Sequence, residues 1–420
     1  MLSAMGASLL SAERLDRAGP ILEKGALLAR RSTDPALRAR ALCPLALLSV
    51  TKGDRAAGEA MLAEALAGLP DEPRYALPRA GCLVNQSTFG YFSGEAEPMI
   101  RNATAALELL DRTPAPALLL RIEALGAVAH GHHLARHTRL AEEAHARVWD
   151  VLVRAGLERT SIGATALNNW SLVHVLGDVS RAAALCRRSV ELRRATEAVD
   201  SVLPTATFNL AGALVVLARY DEAERLFEET IATAEARGER RIRFDATMEL
   251  SEVYIGRGDL GRAAAQLARL DPVKDSPEFD PWRRQQLEYF QARLALARHD
   301  YGGALARFSA VAERFEKRQS KIGMAATTLV GLANTQLALG RREEALASAQ
   351  RALALSESFV EAGAPSYLVG LSLLADADIR RAAGDSEAAR GSYRRALDHL
   401  QRTLGPDHPA TVAARLRVTG

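Results

Sequence analysis

The sequence predicts an all-α fold, a solenoid of about ten stacked antiparallel helix pairs joined by short turns, with no β-sheet. Three observations carry that expectation. First, the 420 residues are 48% hydrophobic but only 5% aromatic. That balance is too apolar for a disordered chain and too poor in aromatics for an all-β one. Alanine and leucine dominate, arginine and glutamate supply most of the charge, and all four favour helix. Second, turn positions recur at a near-constant spacing along the whole chain. Third, small residues keep register with those turns on both sides.

Taken in order, the turns stand at Glu13, Gly53, Gly94, Arg136, Gly177, Ala218, Gly258, His299, Gly340 and Gly384, a period near 41. Five positions after them come Ala18, Gly58, Met99, Ala141, Ala182, Ala223, Ala263, Ala304, Ala345 and Ala389. Seven positions before them come Gly6, Ala46, Ser87, Ala129, Trp170, Ala211, Ser251, Ala292, Ala333 and Ala377. Small residues on facing helices let the two backbones of a pair approach closely. Nine positions after the turns, bulky residues prevail: Leu22, Leu62, Phe227, Leu267, Phe308 and Tyr393. These fill the space between neighbouring pairs. A single pair cannot bury its apolar face, so the pairs must stack.

The arrangement resembles the tetratricopeptide repeat. The resemblance is carried by LGRREEALASAQRALAL from Leu339, ARYDEAERLFEETIATA from Ala218 and GRGDLGRAAAQLARL from Gly256, and it covers essentially all of the chain. The family's usual repeat is shorter. The longer period is similar to kinesin-light-chain repeats and to the repeat arrays of large bacterial ATPase-type transcription regulators. LDHLQRTLGPDHPATVAARL from Leu397 is similar to the kinesin-light-chain type. The resemblance implies a right-handed superhelix whose first helices line a concave face.

Residues 1–420 are expected to form a single array. The first repeat has few residues before its turn, and an incomplete repeat occupies 408–420. The array is either naturally ragged or one piece of a longer polypeptide carrying a kinase, an ATPase or a DNA-binding domain. Proline-rich joints fall at Gly68–Arg79 and Asp271–Pro281, and Pro44 is expected to kink a first helix.

Net charge is +3 from 54 basic and 51 acidic residues, with the signs interspersed. No nucleic-acid partner and no polybasic membrane anchor are expected. No apolar run reaches the roughly 18 residues of a membrane span. Cys43, Cys82 and Cys186 are odd in number and far apart, which argues against a disulfide framework and for a reducing, cytoplasmic setting. The sequence has no phosphate loop, dinucleotide fingerprint, nucleophile elbow or kinase signature, so no enzyme and no cofactor are expected.

The resemblance implies that asparagines on the first helices hold the backbone of a bound peptide. An amide side chain offers both a donor and an acceptor, so it can pair with an extended chain of any sequence. The column nine before the turns holds Asn85, Asn168, Asn209 and Glu249. The column six before holds Thr88, His130, Ser171, Glu252, Arg293, Asn334 and Asp378. A groove centred on repeats three to eight is expected, with Asn85, Asn168, Asn209, Glu249, Glu252, Arg293 and Asn334 as its lining. Asp245, Glu249 and Glu252 form an acidic stretch, and Arg283, Arg284 and Arg293 a basic one, which would suit a partner carrying both charges. Ordinary polar filling of a concave face is the plainer reading.

Five histidines fall between His130 and His145. His133 and His137 have helical spacing for zinc, but the turn at Arg136 should break the helix between them, and no metal site is expected. His145 and Cys186 sit in the bulky column and should be buried. Trp170 interrupts the small column, either as local repacking or as an aromatic shelf beside the groove. The expected function is a non-catalytic scaffold that binds an extended peptide or a partner helix. The alternative is the regulatory part of a bacterial signalling protein, a Ser/Thr kinase or an ATPase-type transcription regulator. Self-association through uncapped ends is a third expectation.

Overall fold

The computed structural model describes residues 15–113, 117–196, 204–276, 279–318 and 323–419, with the isolated positions 2 and 5. The expected turn at Glu13, its small partner Gly6 and two residues of the second proline-rich joint lie outside them. Among the described residues there are twenty α-helices, two three-residue 3-10 turns and no strand. None of these helices is long and apolar enough to cross a membrane. They form two compact units, residues 1–158 and 159–420.

Unit 1 contains α1 (Leu15–Arg30), α2 (Pro35–Thr51), α3 (Arg55–Ala67), α4 (Ala76–Ser93), α5 (Ala96–Asp111), α6 (Leu118–Leu134) and α7 (Thr138–Arg154). Unit 2 contains α8 (Ser161–Ser171), α9 (Val179–Thr196), α10 (Pro204–Val216), α11 (Tyr220–Arg237), α12 (Arg240–Arg257) and α13 (Leu260–Ala268). It continues with α14 (Pro281–Ala297), α15 (Tyr301–Lys317), α16 (Gly323–Ala338), α17 (Arg342–Glu357), α18 (Tyr367–Ala382), α19 (Ser386–Leu404) and α20 (Pro409–Thr419).

The turns inside the pairs follow one chemistry. Gly53, Gly94, Arg136, Ala218, Gly258, His299, Gly340 and Gly384 all have positive φ. That conformation ends a first helix, and glycine takes it without the Cβ clash met by Arg136, Ala218 and His299. An aspartate often follows and caps the second helix. The carboxylates of Asp54, Asp259, Asp300 and Asp385 accept hydrogen bonds from the N–H groups of Ala57, Arg262, Gly303 and Ala388. At Gly177 the chain turns without a left-handed residue, after a 3-10 turn over Leu172–His174 that follows α8.

The small columns lie in the contact between paired helices. Ala46, Ala129, Ala211, Ala292, Ala333 and Ala377 are fully buried, as are Ala18, Ala141, Ala182, Ala223, Ala263, Ala304 and Ala345. At Gly58 a Cβ would stand 2.8 Å from the Ala46 carbonyl oxygen, so this pair is closed to within the space of one methyl group. The bulky column packs between pairs: Leu22, Leu62, Phe227, Leu267, Phe308 and Tyr393 are buried, with His145 and Cys186 in the equivalent places. Trp170, half-buried, lies under the Arg181 guanidinium, 5.8 Å from the ring centre.

The cysteine expectation is corrected. Cys43 on α2 and Cys82 on α4 are joined as a disulfide, with Cα atoms 5.2 Å apart and both side chains buried. Their separation of 39 residues is close to one repeat. Stacking therefore brings them to equivalent heights on adjacent first helices. Reading cysteine spacing as a local motif misses a pair that the repeat itself aligns. Cys186 is the buried free thiol. Burial pushes its pKa up, against a hydrogen bond with Ser171 Oγ at 3.0 Å.

Candidate functional site

In unit 2 the first helices of successive pairs bring polar side chains together. Asn209 on α10 donates from Nδ2 to Asn168 Oδ1 on α8 at 3.1 Å, so two members of the asparagine column pair across neighbouring repeats. One repeat further, Glu249 and Glu252 project from α12. Glu252 forms a two-point ion pair with Arg293 of α14, one contact being Nε to Oε2 at 3.1 Å. The Glu252 carboxylate holds the Arg293 guanidinium charged, well above its ordinary pKa, against the opposing effect of burial. Asp245, a turn before Glu249, pairs with Arg283 at 2.7 Å, and Arg283 also reaches Asp280 at 2.6 Å.

Asp245 and Glu252 thus pair with Arg283 and Arg293, while Arg284 donates to the Lys274 carbonyl at 3.0 Å. Glu249 is the exception: among the described residues it makes no ion pair. Burial pushes its pKa up to about 8, helped by the charges of Glu252 and Asp245. A carboxyl in that state holds its proton at neutral pH and gains greatly from a cation brought beside it.

Three tyrosines feel the charges of this acidic stretch, Tyr289 and Tyr367 that of Glu249 and Tyr220 that of Glu252. Tyr289 of α14 is buried, and its hydroxyl is raised to about 12, chiefly by burial; it shares a hydrogen bond with Thr327 of α16. Tyr367, the first residue of α18, is raised by burial, by Tyr289 and by Glu249. Tyr220, at the start of α11, is raised by burial and by Glu252. Residues from α11, α12, α14, α16 and α18 thus converge on one polar cluster inside unit 2. It offers a neutral carboxyl, a bound guanidinium and phenol hydroxyls, with the Asn168–Asn209 amide pair on the preceding first helices. Such a set can hold a chain by hydrogen bonds, and nothing in it forms a nucleophile–base pair.

Residues 328–359 match the tetratricopeptide repeat family. The Rap protein complexed with competence and sporulation factor has the same fold, with a TM-score of 0.62 at 16% identity over 85% of this chain and 97% of that one. The apo form of the quorum sensor NprR from B. thuringiensis gives 0.61 at 14% identity, over 84% and 97%. The chain carries the tetratricopeptide-repeat fold. No curated protein matches its sequence.

The tetratricopeptide-repeat frame separates the expected groove residues. Asn168, Asn209, Glu249, Glu252 and Arg293 share the first helices α8, α10, α12 and α14 of unit 2. Asn334 on α16 is exposed. Asn85, in unit 1, turns its amide back to the Gly81 carbonyl of its own helix at 3.1 Å. In the histidine-rich segment, α6 stops at Leu134 and α7 starts at Thr138. His132 and His137 face each other across that break with ring centres 5.8 Å apart, and His130 lies edge-on between Tyr91 and His145. The three tyrosines escaped the sequence reading because they occupy no common column: Tyr220 opens a second helix, Tyr289 lies mid-helix and Tyr367 begins a first helix. Their proximity follows from stacking alone.

Proposed function

We propose that this chain is a non-catalytic binding protein whose unit 2 takes an extended peptide against the Asn168–Asn209 pair and the Glu249 cluster. The observation that carries the reading is the uncompensated Glu249 carboxyl among tyrosines and paired charges. The side chain is half-buried, and a cationic side chain or amino terminus would complete it. The asparagine amides would hold backbone, and Glu249 would select charge. The named complex of the Rap fold contains a bound factor, which supports a ligand of this kind. A sensor, in which the bound peptide alters the repeat stack, is a second reading favoured by the likeness to a quorum sensor.

The test is selection from a displayed random-peptide library with the purified chain, followed by calorimetry on the winners. Peptides with a basic residue that lose at least about tenfold in affinity on Asn168→Ala with Asn209→Ala, or on Glu249→Gln, support the reading. Winners that bind every variant equally, or an empty selection, sink it.

A further inference from the structure

In a solenoid each repeat touches its neighbours and little else. Unit 2 departs from that rule in three places. At the turn of repeat five, Leu176 packs into an apolar patch made by Ala326 of α16, by Phe359, and by Leu368 of α18. The approach is close: a Cβ on Gly323 would stand 3.6 Å from Leu176 Cδ2, and one on Gly177 would stand 3.5 Å from the Pro365 carbonyl oxygen. The second place is His408. Its Nδ1 accepts the Ala410 N–H at 3.2 Å and so caps α20, while the ring faces the Val216 carbonyl at the end of α10, which opposes the lowering of its pKa by burial. Helix α9 also lies against α19. Repeats five and six thus meet repeats nine, ten and the last helix.

These contacts close the stack on the side of the polar cluster, since Tyr367 begins the same helix that receives Leu176. The contacts named here are individually small: one leucine side chain, one backbone approach, one imidazole at a helix end and the approach of α9 to α19. We propose that they form a releasable clasp that holds unit 2 closed over the Glu249 cluster, and that a ligand enters or leaves when the clasp parts. The clasp rests on the peptide-binding reading only for what it admits, because the closure can be measured without any ligand.

Two variants of the full chain separate the roles. Leu176→Ala empties the apolar patch. His408→Asn keeps an acceptor at the α20 cap but is too short to reach the Val216 carbonyl. Amide hydrogen exchange is followed by mass spectrometry on wild type and variants, with small-angle scattering in parallel and helicity checked by circular dichroism. The expected result is exchange about tenfold faster or more in the first turn of α18 for Leu176→Ala and in α20 for His408→Asn, with a larger maximum dimension. Protection in α11 to α15 should stay as in wild type. Unchanged exchange and scattering in both variants would overturn the clasp. So would acceleration spread evenly over unit 2, which would mean general destabilisation. Neither outcome depends on whether a peptide binds.

Discussion

The two units treat the same columns of the repeat differently. In unit 1 the polar positions of the first helices are satisfied within their own helix: Asn85 bonds the Gly81 carbonyl and Thr88 the Val84 carbonyl. In unit 2 some of the equivalent positions pair across neighbouring repeats, Asn209 with Asn168 and Arg293 with Glu252, while Ser171 bonds the Asn168 carbonyl of its own helix. The cores differ in parallel. The largest fully buried side chains of unit 1 are the leucines Leu22, Leu42, Leu48, Leu62 and Leu152, assisted by a cross-link. Unit 2 buries Phe227, Phe279, Phe290, Phe308 and Tyr393. A residue that bonds its own helix has one polar atom fewer to offer a ligand. A row that bonds across repeats makes a continuous surface, and a core of large rings gives that surface a firm base.

The strongest way to break this contrast is to remove a ring. Phe308 is fully buried, and a Cβ on Gly331 would meet its ring at 2.5 Å, so the site is packed without slack. Phe308→Ala should cost unit 2 about 3–5 kcal/mol through lost burial and the cavity left behind. Hydrogen exchange should report the loss in α14 to α17 and spare α2 to α4. Equal loss in both units would mean that they unfold together and that the contrast has no energetic content.

The reciprocal test removes the cross-link. The Cys43→Ala, Cys82→Ala double variant frees a loop of about one repeat and should cost unit 1 about 2–4 kcal/mol. The loss should appear as a lower denaturation midpoint and weaker protection in α2 and α4. Reductant should shift the wild type toward the variant and leave the variant itself unmoved. Free thiols at both positions in the purified, non-reduced chain would show that the leucine core of unit 1 stands without a staple.

Much of the architecture was legible because one period writes the same demand in every repeat. A small residue is needed where paired helices touch, a bulky one where pairs stack, and a turn former where the first helix ends. Ala211, Phe227 and Gly258 could be read from position alone. Legibility ended where the relevant distance was not along the chain. Cys43 and Cys82 are neighbours because stacking aligns residues one repeat apart, and Leu176 meets Leu368 because the stack curves back on itself. The charged residues of the expected groove were named, but their partners were not. Arg293 read as one member of a basic stretch, whereas it neutralises Glu252, and that pairing leaves Glu249 as the distinctive group.

Glu249 gives the subtlest probe of the difference between the units, since unit 1 has no counterpart to it in this column. Its carboxyl titrates near 8 in the folded chain against an ordinary 4.5. Between those values the folded state holds a proton that the unfolded state has released. Stability from this group is therefore complete below pH about 4.5 and is lost as pH rises through 8. Glu249→Gln keeps the shape and removes the titration. The variant should match wild type at pH 5 and exceed it at pH 9 by about 1–2 kcal/mol, reduced from the full linkage value because the side chain is partly open to water. Denaturant midpoints across that range measure it directly. Profiles that run parallel from pH 5 to 9 would mean that Glu249 ionises as a surface carboxylate does. The cluster would then be an ordinary wet face, no more selective for a cation than the self-satisfied polar column of unit 1.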